Sequence, residues 1–292
     1  MFMKFAAIIK LVRVKQWVKN LFVFAPLVFS LQLFDAPLLL KTVAAFFAFS
    51  LVSSSLYAMN DIVDLERDRY HPRKQKRPLP AGLLTIPQAA VVGVLCLGCG
   101  AFLALRLDLA VAGVLVVYLL MNIFYSLWGK NIIILDTMLI AVGFVLRVLA
   151  GAYAIAVPPS SWMLVATFFL ALLLGMGKRY NELRVMQDES ASHREVLEEY
   201  NEPLLRQLFA VASSATIVAY ALYTMDPEVV AAFRTENLVF TLPFVVFGVF
   251  RYLYLVFKHE LGGDPTELVY KDRTMLAIVV LWVISVVILI YR

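Results

Sequence analysis

Apolar runs of about 20 residues recur along this chain from one end to the other, and no long polar stretch separates them. A helix of about 20 residues crosses roughly 30 Å of hydrocarbon. Composition agrees: with 16% charged residues and a mean hydropathy of +0.83, 292 residues carry too little polar surface to coat a soluble globule. The sequence predicts an all-α, multi-pass membrane protein forming one integral domain over 1–292. Nine spans are expected, at 18–35, 38–59, 88–106, 109–127, 133–156, 160–177, 205–225, 237–258 and 274–291.

The N-terminal MFMKFAAIIKLVRVKQWVKN is basic and mildly apolar but lacks the compact core and small-residue cleavage site of a secretory signal. It is expected to lie along the membrane surface. Cys96 and Cys99, within VVGVLCLGCGAFLAL, read as small apolar packing residues, since neither positive charge nor other ligands accompany them. No Pro or Gly pattern repeats between the halves, as a transporter built from inverted repeats would show.

Lys and Arg excess marks cytoplasmic loops. Placing the N-terminus inside gives that side Lys4, Lys10, Arg13, Lys15 and Lys19, the bases of 60–78, Lys130, the stretch from Lys178 to Arg206, and Lys258, Lys271 and Arg273. The other side keeps Lys41, Arg106, Arg234 and Arg292. The expected location is a bacterial inner (plasma) membrane, with the N-terminus and the charged loops cytoplasmic.

Residues 60–78 read NDIVDLERDRYHPRKQKRP, ten formal charges in nineteen positions. The bases serve topology, but acids contribute little to it, so Asp61, Asp64 and Asp68 need another account. At 100° per residue they fall at about 0°, 300° and 340°, with Asn60 at about 260° and Glu66 opposite at about 140°. Three carboxylates and an amide share one face. Carboxylates grouped this way suit Mg²⁺, which commonly also holds phosphate oxygens. A segment whose acids merely offset its bases would scatter them. His71-Pro72 is expected to end the helix, leaving Arg73, Lys74, Lys76 and Arg77 on a turn able to fold over bound phosphates. His71 itself suits a turn or capping role better than metal ligation.

The sixth span ends in GKRYNEL, placing Lys178, Arg179, Asn181 and Glu182 at the same membrane face. Glu182 could complete a metal shell while Lys178 and Arg179 bind phosphate; an interfacial collar is the plainer alternative. Arg13, Gln16, Trp17 and Asn20 share a helical face, as anchors or as an entry to the site. Tyr125, Lys130 and Asp136 bracket the loop between spans four and five. Arg147 lies eleven residues beyond Asp136, about 16 Å along a helix and deep in the bilayer, where an arginine is functional or paired. Substrate phosphate contact and a structural partner are both open for it.

Taken together, RVKQWVKNLFVFAPLVF, NDIVDLERDRYHPRKQKRPLPAG, YSLWGK, RVLAGAYA and GKRYNEL resemble the UbiA superfamily of intramembrane prenyltransferases, and within it the decaprenyl-phosphate phosphoribosyltransferase branch. Aromatic prenyltransferases of that superfamily carry a second Asp-x-x-x-Asp motif after span six; here KRYNEL stands there, with Asp188 further on, which favours the phosphoribosyl branch. The resemblance implies nine helices around a central cavity open to the cytosol. It also implies transfer of 5-phosphoribose from phosphoribosyl diphosphate to a polyprenyl phosphate lipid, feeding cell-envelope arabinan or related glycan synthesis. Asp61, Asp64 and Asp68 are then the expected catalytic Mg²⁺ ligands. The expected substrate-binding set is Asn60, Lys19, Asn20, Lys74, Lys76, Arg77, Tyr125, Lys130, Arg147, Lys178, Arg179 and Glu182. No nucleic-acid partner is expected, and a homo-oligomer is allowed. The alternatives are a Mg-dependent aromatic polyprenyltransferase of the 4-hydroxybenzoate type and, in another class, a lipid or ion transporter.

Overall fold

A computed structural model describes residues 2–70, 74–188, 199–259 and 271–292. His71, Pro72 and Arg73, together with 189–198 and 260–270, lie outside the described residues. The α-helices are α1 (Phe2–Leu11), α2 (Ala25–Phe29), α3 (Ala36–Val63), α4 (Leu65–Tyr70), α5 (Ile86–Leu107), α6 (Leu109–Leu127), α7 (Leu135–Ala154), α8 (Ser161–Asp188), α9 (Glu202–Met225), α10 (Pro227–Phe233), α11 (Leu242–His259) and α12 (Arg273–Tyr291). Two compact units divide the chain. Unit 1 comprises Met1–Leu27, Asp35–Trp128 and Leu146–Val157; unit 2 comprises Val28–Phe34, Gly129–Val145 and Pro158–Arg292.

Among the described residues, eight helical stretches are long and apolar enough to cross a membrane. They correspond to the expected spans from 38–59 onward. The first expected span, 18–35, is not one helix: a 3-10 helix covers Val14–Phe24, and the five-residue α2 follows it. Hydropathy registers how apolar a segment is, not its pitch. At about 2.0 Å per residue the 3-10 stretch is about 22 Å long, and with α2 it approaches the thickness of hydrocarbon.

The change of pitch alters which residues align. In a 3-10 helix side chains at i and i+3 eclipse, so Val14, Trp17, Asn20 and Val23 form one row and Gln16, Lys19 and Phe22 another, while Arg13 stands just before the helix in the left-handed conformation. The single face expected for Arg13, Gln16, Trp17 and Asn20 is therefore split. The Trp17 row lies against the serine-rich part of α3: Trp17 Nε1 donates to Ser54 Oγ at 3.1 Å and Asn20 Nδ2 to Ser50 Oγ at 2.9 Å. Ser54 in turn donates to the Val12 carbonyl. At the row's end, Val23 meets α7 at Gly151, where an added Cβ would collide with the Val23 carbonyl.

Elsewhere in unit 1, α3 packs along α5, and α5 and α6 turn large apolar side chains such as Val94, Leu95, Phe102 and Leu120 outward, as a lipid-facing surface requires. Helix starts are capped by side chains that satisfy orphan N–H groups: Asp35 for α3, a Thr85/Gln88 capping box for α5 and Asp108 for α6. In unit 2, α8 packs along α9, and Tyr180, Phe209 and Phe257 meet edge to face within a core that includes Leu173, Leu205 and Leu255. Asn201, Asp226 and Asp272 cap α9, α10 and α12.

Gly151→Ala is expected to destabilise the purified protein by about 1–3 kcal/mol, because the added methyl must push apart two backbones. Gly98→Ala, whose Cβ meets nothing within 4 Å, should be neutral or stabilising by about 0.5–1 kcal/mol. Thermal unfolding of the two variants in detergent measures the contrast.

Candidate active site

The aspartate segment begins in the last turn of α3 and runs into α4. Asp64 interrupts it with φ −87° and ψ 6°, the bridge region. The i to i−4 ladder nonetheless continues, with Asp64 N–H donating to the Asn60 carbonyl and Asp68 N–H to the Asp64 carbonyl, both at 2.9 Å. Helical phase survives the interruption, and Asp61 and Asp68 emerge on one side. Both are buried, at 1% exposure each.

Buried carboxylates need cations close by. Arg77 supplies one: its Nη1 lies 3.1 Å from Asp61 Oδ1 and 2.6 Å from Asp68 Oδ2. Arg13 supplies the second, with Nη2 at 2.5 Å from Asp61 Oδ1 and its guanidinium 4.6 Å above the Tyr57 ring. Lys74 Nζ stands 3.6 Å from Asp68 Oδ1. Asn60 accepts a hydrogen bond from Ser126 Oγ of α6 at 3.2 Å. Asp64 is half-buried at the break, Tyr125 and Lys19 are half-buried, and Lys76 is exposed.

Deeper in unit 1, Arg147 is buried and donates from Nε to Asn20 Oδ1 at 2.8 Å and from Nη2 to Tyr118 OH at 3.3 Å. Its guanidinium also lies 4.8 Å from the Phe49 ring centroid and 5.1 Å from that of Tyr118. Asn20, fixed by Ser50 on one side, thus orients Arg147 on the other.

A second charged cluster belongs to unit 2. Arg179 and Asp136 are both at 0% exposure, and Arg179 Nε approaches Asp136 Oδ2 at 2.5 Å. Arg179 also pairs with Glu182, and Lys178 Nζ lies 3.9 Å from Glu182 Oε1. Tyr200 donates to Asp136 Oδ1 at 2.9 Å while accepting from the Ile134 N–H at 2.8 Å. Burial, and then the neighbouring Asp136 carboxylate, push the Tyr200 phenol up to about 12, so it remains a donor at neutral pH. Ile134 sits at φ 68°, a left-handed conformation costly for a β-branched residue, and Tyr200 helps to hold it there. Lys130 is half-buried in the short 3-10 helix Gly129–Asn131.

Comparison with known proteins identifies the scaffold. The model of the UbiA prenyltransferase family matches residues 21–270. The chain belongs to the UbiA prenyltransferase family. It is similar to the decaprenyl-phosphate phosphoribosyltransferases of Corynebacterium glutamicum (31% identity over 97% of this chain and 86% of the relative) and Mycobacterium tuberculosis (32% identity over 96% and 93%). Among solved structures, a UbiA homolog from Archaeoglobus fulgidus bound to DMAPP and Mg²⁺ superposes with a TM-score of 0.73 over 96% of this chain and 98% of that one, at 15% identity. The all-helical fold is therefore UbiA-like, and the protein is a multi-pass membrane protein of this family.

Of the residues expected to act, Asn60, Asp61, Asp68, Lys74 and Arg77 gather in unit 1, with Asp64 at the helix break between the two buried aspartates. Arg179 was expected to reach phosphate; it is instead fully enclosed between Asp136 and Glu182, while its neighbour Lys178 keeps 40% of its side chain exposed. Among the described residues no three Asp, Glu, His or Cys side chains stand close enough to hold a metal ion as they are. The donor chemistry still fits a divalent cation, because one Arg77 nitrogen touches both buried carboxylates and so marks a point that a single cation can share between them. Arg13 and Ser126 contact this cluster and are absent from the expected set, although both stand in the segments that carry the UbiA resemblance.

Asp136→Asn in this UbiA protein is expected to cost about 1–3 kcal/mol of stability, since it takes one of two carboxylates from the buried Arg179 and leaves it Glu182. Lys130→Ala should cost less than about 0.5 kcal/mol. Detergent thermal unfolding of both variants checks the difference.

Proposed function

We propose that this UbiA protein transfers 5-phosphoribose from phosphoribosyl diphosphate to a polyprenyl phosphate, releasing diphosphate. The observation that carries the reading is the buried Asp61/Asp68 pair lined by Arg13, Arg77 and Lys74. Supporting it are the names of relatives that align over nearly the whole chain.

In the transfer, the anomeric C–O bond to diphosphate breaks and its electron pair leaves with the diphosphate, while a lipid phosphate oxygen forms the new bond to that carbon. The acceptor is already an anion at neutral pH, so no proton has to be removed from it. The difficulty lies in the charge accumulating on the leaving group. Arg77 and Lys74, on the segment just after α4, would meet that charge and supply electrostatic stabilisation, Arg77 through a planar fork and Lys74 as a point charge. Asp61, Asp64 and Asp68 would hold Mg²⁺, which would neutralise the diphosphate as a Lewis acid. Lys178 and Glu182, with half-exposed side chains, remain substrate-binding candidates, and Arg179 acts by fixing Glu182 and α7.

The membrane half of the reading follows from the same chain. Apolar helix walls suit the isoprenoid tail, the Lys/Arg asymmetry supports an orientation with residues 60–78 on the cytoplasmic side, and the bacterial relatives support a bacterial plasma membrane. The lipid-linked pentose would then serve cell-envelope glycan synthesis.

Purified protein given labelled phosphoribosyl diphosphate, polyprenyl phosphate and Mg²⁺ is expected to move label into the organic phase, and chelation of the metal should stop it. Asp61→Asn or Asp64→Asn should reduce transfer by at least about 100-fold while the protein stays folded in the membrane. Label that remains aqueous while a polyprenyl diphosphate alkylates an aromatic acid would overturn the reading in favour of aromatic prenyl transfer.

A further inference from the structure

The two guanidinium groups on the aspartate pair differ in how they are held. Arg13 has its backbone in the left-handed region at φ 52°, stacks on Tyr57 and meets Asp61 from the N-terminal segment. Three constraints fix it. Arg77 follows the three-residue 3-10 helix Lys74–Lys76, outside any spanning helix, and its side chain is about as exposed as that of Arg13, 29% against 26%. Among the described residues no aromatic ring holds Arg77 as Tyr57 holds Arg13, so its side chain can change rotamer without breaking a stack or disturbing a span.

Position makes that mobility consequential. Arg77 Nη1 contacts both Asp61 and Asp68, the two buried carboxylates of the motif. With Arg13, Arg77 and Lys74 in place, the two negative charges of the pair already face three positive ones. A divalent cation added to this arrangement would introduce two uncompensated positive charges at a buried point. A divalent cation arriving with a diphosphate would bring its own negative charge, and the diphosphate would offer Arg77 a new planar acceptor.

We propose that Arg77 is a resident counter-cation, occupying the place between Asp61 and Asp68 that the divalent metal takes, and passing to the diphosphate when metal and diphosphate enter together. The inference rests on the reading of the aspartates as metal ligands and adds a specific behaviour to it. Metal binding and diphosphate binding are coupled through one side chain: each is weak alone because Arg77 competes with the metal and has nowhere else to go. The same arrangement keeps Asp61 and Asp68 neutralised, and therefore buried, between turnovers.

The test is binding, not turnover. Mn²⁺ titrated into the full-length protein in detergent, followed by its electron paramagnetic resonance signal, is expected to bind Arg77→Gln about tenfold more tightly than wild type, a shift of the size typical of coupled sites. Inorganic diphosphate should tighten Mn²⁺ binding to wild type by about tenfold or more and have a much smaller effect on Arg77→Gln. Asp61→Asn should lose the site in both conditions. A residue serving structure alone would leave Mn²⁺ affinity unchanged or weaken it on removal, and that result overturns the proposal. Should Arg77→Gln fail to fold, wild type still decides: equal Mn²⁺ affinity with and without diphosphate sinks the idea. Because no transfer is measured, tighter Mn²⁺ binding by Arg77→Gln together with no labelled lipid would leave the exchange standing and remove the phosphoribosyl reading.

Discussion

A carboxylate taken out of water must meet a cation or give up its charge, and in a chain this apolar that requirement decides where the ionisable side chains can go. Asp61 and Asp68 meet it with Arg13 and Arg77, and Asp136 meets it with Arg179. The carboxylates stand where helices end or begin: Asp61 in the last turn of α3, Asp68 in α4, and Asp136 as the second residue of α7. Helix ends are where irregular backbone can bring a distant cation alongside. The left-handed Arg13 and the short segment carrying Arg77 do this for α3, and the Tyr200 clamp on Ile134 and Asp136 does it for α7.

The 3-10 stretch Val14–Phe24 links that electrostatic constraint to packing. Its threefold repeat puts Trp17, Asn20 and Val23 in one line against Ser54, Ser50 and Gly151. An α-helix of the same sequence would rotate Val23 away from Trp17 by 600°, equivalent to about 240°, and lose the row. The row has two consequences for charge. It delivers Arg13, at the start of the stretch, to Asp61, and it sets Asn20 to receive Arg147. Small residues on the partner helices, serine on α3 and glycine on α7, allow the close approach.

Much of this was legible in the sequence, and the limits have a physical pattern. Spans from 38–59 onward follow from apolar length, a local property. The Asp61 and Asp68 relationship follows from helical phase, also local, and it survives the break at Asp64 because the hydrogen-bond ladder does. The pitch of residues 14–24 was not legible, since the same apolar side chains suit either helix. Pairings across long sequence separations were not legible either: Arg13 and Asp61 are 48 positions apart, and nothing in their neighbours announces the contact. Lys178 and Arg179 looked equivalent as adjacent bases after a span. One helical step of 100° leaves the first half-exposed and encloses the second.

The choice of cation at each depth follows from the chemistry of the two basic side chains. Among the described residues the buried cations, Arg147 and Arg179, are both arginines, and no lysine is buried. A guanidinium can lie flat on a ring while its edge donates, as Arg13 does on Tyr57 and Asp61 and Arg147 does on Phe49 and Asn20. An ammonium is more strongly hydrated and offers no such face, so it holds its water. Lys74 and Lys178 accordingly stand at longer range, 3.6 Å from Asp68 and 3.9 Å from Glu182, with 38% and 40% of their side chains exposed. Half-solvated lysines can attract an anionic water-soluble donor over several ångströms, whereas arginines already set against rings and carboxylates fix orientation once it arrives. Exchanging Arg13 for lysine would therefore keep the formal charge and still lose the geometry that keeps Asp61 buried.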